Sequence, residues 1–396
     1  MKICQSCLLN SNYRNIKFDK FGICNYCQTY NALEEKITAF DANGKLLEDR
    51  FNLFRGKYEY DCLVGISGGK DSSYVVYQLK NKYGLKILTF TFDNGFLTDY
   101  AKKNIELLVQ KLKVDNFFYK PDWDIYKEFY RQSILHFGYT CPVCAYSSYA
   151  FSNKVAFEKR IPFCVHGRSP AQMFKELLNE SLDPFLPFIW NNLSPYNTLT
   201  NKETAQKVIR KSDYFLKRFI PDPKLRKIFY KEFFPDKDSF EGVDQLPEFL
   251  GLFLYEKYDE ASIKAVIARE LGWLSSSDSK ILTHSDCMIH DAAMFLYNQV
   301  FDYSLLSLEL SVMIRQGNIS REEGTKRLHL EKCLNAVPYE SVSFLLNSCR
   351  LEIDQMKDII SKARRRHKLI RFGLRIQNKF KELGRNGAAD PGKSEI

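Results

Sequence analysis

The sequence lacks long apolar segments. None of its apolar runs approaches the roughly 18–20 residues that a membrane-spanning helix needs. Its first residues include cysteines where a secretory signal would have an apolar stretch. Internal repeats are missing too. We therefore expect a soluble, cytoplasmic protein with no transmembrane segment.

A general excess of one charge is also missing. The net charge is +10, but the segment from Lys357 to Lys381 holds ten Lys or Arg residues and one acidic residue, so it alone contributes +9. A protein that binds nucleic acid along a whole face would spread its positive charge. An apolar face on a basic helix could be formed by Ile359, Ile360, Ala363, Ile370 and Leu374. Such a helix is either solvated or binds tRNA, an acidic partner or an anionic membrane surface, which would make the protein membrane-peripheral.

Strands and helices alternate through the first part of the chain. Apolar runs predict buried strands, and the stretches between them have helical patterning. The strands are predicted at 61–66, 85–92, 115–119 and 163–166. This alternation predicts an α/β fold with a doubly wound, mostly parallel sheet.

Composition divides the chain into five expected parts. A cysteine-rich module comes first, then the α/β domain, a mostly helical insertion, the rest of the catalytic domain, and a basic helical tail ending in small and polar residues. The expected boundaries are 1–35, 36–180, 181–256, 257–334 and 335–396.

A glycine-rich loop lies between the first predicted strand and the following helix. It consists of Ser67, Gly68, Gly69, Lys70, Asp71 and Ser72. Two glycines allow backbone N–H groups to converge on an anion at the helix N-terminus, while the lysine and the serine hydroxyls add donors. The spacing differs from the G-x-x-x-x-G-K-[ST] loop. It resembles the S-G-G-x-D-S signature of the PP-loop ATP pyrophosphatases, whose fold is PP-loop/HUP-like. This resemblance implies ATP with Mg²⁺, cleavage between the α- and β-phosphates, and catalytic roles for Lys70 and Asp71.

Other strand ends are expected to complete the nucleotide site, since α/β sheets bind ligands at the carboxyl ends of their strands. Asp93 follows the second strand and would lie beside the adenine or ribose. Gly167 and Arg168 follow the fourth strand, where Arg168 would neutralise charge at the α-phosphate. The alternative is a turn with an exposed arginine.

The first four cysteines have metal-binding spacing. Cys4 and Cys7 form one C-x-x-C pair and Cys24 and Cys27 another, with 16 residues between the pairs. Four thiolates give a closed tetrahedral site of the zinc-ribbon type, so we expect structural Zn²⁺ here. The alternatives are a different cluster or redox-active thiols.

A third C-x-x-C pair, Cys141 and Cys144, stands apart, and Cys287 lies in a polar segment far along the chain. This arrangement resembles the iron–sulfur PP-loop sulfurtransferases that thiolate tRNA. The resemblance implies a [4Fe–4S] cluster with one iron open to a further ligand. Two alternatives stay open: a zinc site completed by His284 or His290, and plain buried thiols.

A narrower resemblance joins both ends of the catalytic region. Cys4-Gln-Ser-Cys7, Gly22-Ile-Cys-Asn-Tyr-Cys27, the loop, and Glu270-Leu-Gly-Trp273 are together similar to the N-acetyl sugar amidotransferases of surface-polysaccharide biosynthesis. That family's implied reaction is adenylation of an acetamido group on a nucleotide-linked sugar, followed by attack of ammonia. The sequence shows no cysteine nucleophile elbow with a His–Glu pair, so the ammonia would come from a separate glutaminase partner. The alternative is transfer of sulfur to a tRNA or a small molecule.

Overall fold

The computed structural model describes residues 1–169 apart from Arg14 and Ala39, residues 172 and 213, and the ranges 216–236, 246–275, 286–333 and 336–369. Five strands are present there: β1 Cys62–Gly65, β2 Ile87–Phe92, β3 Asp115–Tyr119, β4 Phe163–His166 and β5 Glu248–Gly251. The helices of this part of the chain are α1 Asn25–Thr38, α2 Phe40–Phe54, α3 Lys70–Asn81, α4 Asp99–Leu112, α5 Trp123–Phe137, α6 Cys141–Glu158, α7 Pro223–Phe233, α8 Glu260–Leu271, α9 His290–Phe301, α10 Leu305–Arg315, α11 Arg321–Cys333, α12 Tyr339–Ser348 and α13 356–369.

The five strands form one parallel sheet in the order β3-β2-β1-β4-β5. The strand β1 pairs with β2 on one side and with β4 on the other, so the chain changes direction beside β1. Ligands of open α/β sheets bind at such a switch point, outside the carboxyl ends of the strands. The loop after β1 therefore lies at the position where this topology favours a ligand.

Helices cover both faces of the sheet. One core packs Val64, Val76 and Ile87 with the helices α2, α3, α4 and α8. The other packs Leu63, Phe90 and further residues of the sheet with α5, α6, α7, α9 and α12. Alternate residues of the central strands are thus buried on opposite faces, which explains why β1 is apolar throughout. The prediction of a doubly wound α/β fold is confirmed.

Most strand positions agree with the sequence, but β5 was not predicted. It lies at the end of the segment expected to be mostly helical and pairs with β4, placing Leu250 opposite Val165. Its apolar residues are buried on opposite faces of the sheet: Phe249 lies in the core with Leu63, and Leu250 lies in the core with Val64. Four residues without a long alternating pattern cannot be distinguished from a buried helix by periodicity. The division of the chain into five parts stays a prediction.

The described part of the basic segment packs against the fold as α13. Of the residues expected on its apolar face, Ile359 and Ala363 are buried within the fold and Ile360 is half-buried. The Arg366 guanidinium donates to the Leu135 carbonyl oxygen at 3.0 Å, at the end of α5. Residues 370–381 lie outside the described residues. Among the helices that the structure describes, none is sufficiently long and apolar to cross a membrane.

Candidate active site

The Ser67–Ser72 loop joins the end of β1 to the start of α3, which begins at Lys70. The Gly69 N–H lies 3.3 Å from the Ser67 hydroxyl, and the Ser67 N–H lies 3.3 Å from the Ser72 hydroxyl. These are long contacts, as expected of donors and hydroxyls arranged around a space for an anion. The N-terminus of α3 adds its partial positive charge to that space.

The two charged residues of the loop contact each other and residues at the start of α8. The Lys70 ammonium lies 2.9 Å from Asp71 Oδ2 and 3.9 Å from Glu260 Oε1. The Tyr258 hydroxyl donates to Asp71 Oδ1 at 3.2 Å. Burial lowers the pKa of Lys70, but the Asp71 and Glu260 carboxylates outweigh it and hold that pKa above its usual value. Lys70 is therefore a largely but not fully buried cation at neutral pH.

The end of β4 lies directly against the loop. A Cβ atom on Gly167 would come 2.8 Å from the backbone carbon and oxygen of Asp71, so only glycine allows this close approach. The next residue, Arg168, places its guanidinium 5.5 Å from the centre of the Tyr149 ring. Both residues line the same cavity as the loop.

The end of β2 contributes Asn94 to this cavity. Asp93 accepts the Gly95 N–H at 3.0 Å and so stabilises the turn, and it does not line the cavity. The role expected for Asp93 beside the nucleotide stays a prediction.

The cavity has a volume of about 580 Å³ and opens beside the loop. All loop residues line the cavity except Gly68. A Cβ atom built on Gly68 would meet the backbone of α4. Further charged or titratable groups reach the cavity from the end of β4, from the segment before α9, and from the helices α8, α9 and α10. They are His166, Asp286, Lys264, His290 and Glu309. Its size and mixed apolar and polar lining suit a small-molecule ligand.

Cys141, Cys144 and Cys287 all line this cavity. The turn after β2 brings them together, because Asn94 Nδ2 lies 3.1 Å from Cys144 Sγ and Leu97 forms a backbone bridge with Cys287. Cys141 and Cys144 are three residues apart in the first turn of α6, so they lie on one face of that helix. The structure thus brings together the three cysteines that the sequence suggested as a set. His290 lines the cavity as well, whereas His284 lies outside the described residues.

The Cys144 thiol has polar neighbours, among them Tyr130 and Asn94. Its sulfur lies 3.0 Å from the Tyr130 hydroxyl and 3.1 Å from the Asn94 amide. Burial raises the pKa of Cys144, and it raises the pKa of Cys287 well above its usual value. Both are therefore neutral thiols at pH 7 when no metal is bound, with donors already placed to stabilise charge on the Cys144 sulfur.

The four N-terminal cysteines form a separate buried cluster. Their sulfur atoms all lie within 4.8 Å of one another. Three of the distances are 4.0 Å for Cys4–Cys27, 3.8 Å for Cys7–Cys24 and 3.6 Å for Cys24–Cys27. Four sulfurs about 2.3 Å from one metal ion at the corners of a tetrahedron would be about 3.8 Å apart. The cluster therefore has the dimensions of a single-ion site, and it is the one such group among the described residues.

The cysteine module packs on the helix that forms part of the cavity wall. The Leu8 N–H donates to the Ser311 hydroxyl of α10 at 3.1 Å, and Arg321 donates to the Cys4 carbonyl oxygen at 3.2 Å. The same helix α10 presents Leu305, Leu306 and Glu309 to the cavity. The module thus contacts a helix of the cavity wall, and none of its cysteines lines the cavity.

No protein-family profile and no curated protein matches the sequence. Among solved structures, the chain is similar to the U34-tRNA thiolase NcsA from Methanococcus maripaludis with its [4Fe–4S] cluster, at 14% identity over 88% of each chain and a TM-score of 0.31. It is also similar to the NH3-dependent NAD synthetase from Campylobacter jejuni, at 14% identity over 54% of this chain and 100% of that one, with a TM-score of 0.28. A third similar structure is the NMN synthetase from Francisella tularensis, at 13% identity over 60% of this chain and 89% of that one, with a TM-score of 0.22. These values are too low to assign a reaction.

Proposed function

We propose that the protein is an ATP-dependent enzyme of the PP-loop class, which transfers AMP to an acceptor and releases pyrophosphate. The observation that carries this proposal is the Ser67–Ser72 loop itself. It lies at the switch point of a parallel sheet, at the N-terminus of α3, and it lines a cavity large enough for a nucleotide and part of an acceptor.

Three charged residues of the site, Lys70, Asp71 and Arg168, have roles in this proposed reaction. The loop N–H groups and Lys70 bind the β- and γ-phosphates of Mg²⁺·ATP and stabilise the negative charge of the departing pyrophosphate. Arg168, which lines the cavity, neutralises charge on the α-phosphate while an acceptor oxygen attacks phosphorus. Asp71 holds the lysine in place through their 2.9 Å contact. A nucleophile then displaces AMP from the activated acceptor.

The test is product analysis with labelled ATP. We expect AMP and pyrophosphate in equal amounts, and we expect Lys70→Ala to abolish both while the thermal unfolding temperature changes little. The matched control is Lys82→Ala, because Lys82 lies just beyond the other end of α3 and pairs with Glu256. Formation of ADP and phosphate would refute the proposed class.

For the second half-reaction we propose an ammonia-dependent amidotransferase that acts on the acetamido group of a nucleotide-linked sugar. The support is the resemblance carried by the cysteine module, the loop and Trp273. Two of these features are connected in space, since the Trp273 indole N–H donates to the Gly68 carbonyl oxygen at 3.0 Å. Ammonia from a glutaminase partner would enter this cavity and displace AMP, giving an acetamidine.

Sulfur transfer is the second candidate, and the three cysteines at the cavity favour it. Cys141, Cys144 and Cys287 would hold a [4Fe–4S] cluster, which supplies an iron site to present sulfide to the activated acceptor. The acceptor would be a tRNA or a small molecule. The mass of the product separates the candidates: nitrogen replaces oxygen in one reaction and sulfur replaces it in the other.

For the N-terminal cluster we propose structural Zn²⁺. Cys4, Cys7, Cys24 and Cys27 supply four buried thiolates at tetrahedral distances and leave no open coordination position. The ion would link the two halves of the module and stabilise it on α10.

A further inference from the structure

The Gly68 peptide is held by two distant side chains. Its carbonyl oxygen accepts the Trp273 indole N–H at 3.0 Å and the Asn104 side-chain N–H at 3.2 Å. Both donors are buried, Asn104 within α4 and Trp273 just after the end of α8. The Asn104 amide also binds the backbone of Leu274 in both directions, at 2.8 and 3.0 Å. The two donors are therefore fixed to each other as well as to the loop.

These bonds determine where the next N–H of the loop points. In a planar trans peptide the C=O and N–H bonds point in opposite directions. Since the Gly68 carbonyl is turned toward Trp273 and Asn104, the Gly69 N–H is turned away from them, toward the Ser67 hydroxyl and the cavity. The orientation of this loop N–H thus depends on side chains that lie outside the loop.

Asp71, near the C-terminal end of the loop, is contacted from the N-terminal end of α8. Tyr258 lies just before this helix and donates to Asp71 Oδ1, while the Lys70 ammonium forms an ion pair with Asp71 Oδ2. Burial, followed by the nearby Asp71 carboxylate, raises the pKa of Tyr258 far above its usual value, so its hydroxyl keeps its proton and stays a donor. The helix α8 packs against α3, which carries Lys70 and Asp71.

We propose that Tyr258 and Trp273 at the two ends of α8, together with Asn104, are positioning residues that brace the Ser67–Ser72 loop in its phosphate-binding shape. This proposal rests on the proposed function, since it takes the bound anion to be the β- and γ-phosphates of ATP. Loss of the brace should therefore weaken the binding of ligands that carry these phosphates and leave the binding of other ligands unchanged.

The experiment compares three ligands by calorimetry: pyrophosphate, ATP and AMP. In Trp273→Phe, which keeps an aromatic ring and removes the donor, we expect about tenfold weaker binding of pyrophosphate and ATP, because a buried carbonyl loses one of its two donors. AMP binding stays within about twofold of wild type. Tyr258→Phe gives the same pattern through Asp71.

The matched control is Tyr255→Phe. Tyr255 is buried in the same segment, but its hydroxyl contacts Arg50 rather than the loop. We expect this variant to bind all three ligands as wild type does. If Trp273→Phe is too unstable to purify, Tyr258→Phe and Asn104→Ala provide the comparison.

Two results would overturn the brace. One is an equal loss of affinity for AMP, pyrophosphate and ATP, which would mean general damage to the domain. The other is unchanged pyrophosphate binding in variants that are fully folded. Failure of the proposed function differs from both, since the wild-type protein itself would then bind neither ATP nor pyrophosphate.

Discussion

Replacing Gly68 by alanine tests whether the loop backbone has room to relax. Gly68 has a φ of +76°, and a Cβ atom there would lie 2.2 Å from the Ala101 carbonyl oxygen of α4. The left-handed conformation costs a non-glycine residue about 1–2 kcal/mol. Pushing a side-chain atom into packed backbone costs about 1–3 kcal/mol more. We therefore expect Gly68→Ala to lower the free energy of unfolding by about 2–5 kcal/mol.

Gly56→Ala is the matched control. Gly56 has nearly the same conformation, with a φ of +69°, but nothing lies within 4 Å of a Cβ built on it. It should therefore show the conformational cost of about 1–2 kcal/mol alone. The effect of alanine on the unfolded chain is similar at both positions and cancels in the comparison.

The assay is urea unfolding of both variants, followed by pyrophosphate release at a temperature where both are folded. Gly68→Ala should be the less stable variant by about 1–3 kcal/mol and should lose activity, whereas Gly56→Ala keeps it. Equal stability of the two variants would show that α4 does not confine the loop. The close packing of Gly68 against Ala101 would then have no energetic role.

Three further predictions concern single elements. Gly167→Ala should raise the KM for ATP in a folded protein, because its Cβ would press on the Asp71 backbone at 2.8 Å; an unchanged KM would contradict this. Treatment with a strong chelator, or Cys4→Ser, should lower the thermal unfolding temperature and release about one Zn²⁺ per chain, whereas Cys349→Ser should release none. Asp259→Ala should cost about 1 kcal/mol at pH 7, since Asp259 caps α8. Hydrogen bonding, chiefly from Ser262, lowers the pKa of Asp259. The loss of stability caused by Asp259→Ala should therefore shrink as the pH falls through that pKa. Asp259→Asn should cost little both at pH 7 and below that pKa.

Local patterns predicted the elements that carry the loop. The apolar run ending at Ile66, the two glycines and the helix after them are adjacent in sequence, and the structure has β1, the loop and α3 in that order. Strands 115–119 and 163–166 were predicted at their observed boundaries. Each of these elements is continuous in sequence, and the apolar residues of β1 and β4 are buried, so a local pattern is sufficient to find them.

Contacts between distant segments were not predictable in the same way. Trp273 and Gly68 are 205 residues apart, and Tyr258 and Asp71 are 187 residues apart. No local pattern marks a tyrosine or a tryptophan as the donor to a loop, since both residue types are common in cores. One indirect signal existed: Trp273 belongs to a segment that resembles the sugar enzymes. The role of that segment as a brace required the fold.

The sequence suggested Cys141, Cys144 and Cys287 as a set, and all three line the same cavity. Cys144 and Cys287 contact the same turn after β2, and Cys141 lies one helical turn from Cys144. If they hold a [4Fe–4S] cluster, protein prepared without oxygen should be brown and carry about four iron and four sulfide per chain. Each single Cys→Ser change should remove most of both, because a site with three thiolates has no spare ligand.

Cys349→Ala is the control for this last prediction, because Cys349 is a thiol that lies buried in the core and not at the cavity. It should retain the iron if the wild type has it. The decisive measurement combines iron content with the transferred atom. Loss of iron together with loss of thiolated product, at unchanged pyrophosphate release, supports sulfur transfer. Full ammonia-dependent AMP formation in Cys144→Ser and Cys287→Ser would instead mean that the cysteines take no part in the reaction, and sulfur transfer would be refuted.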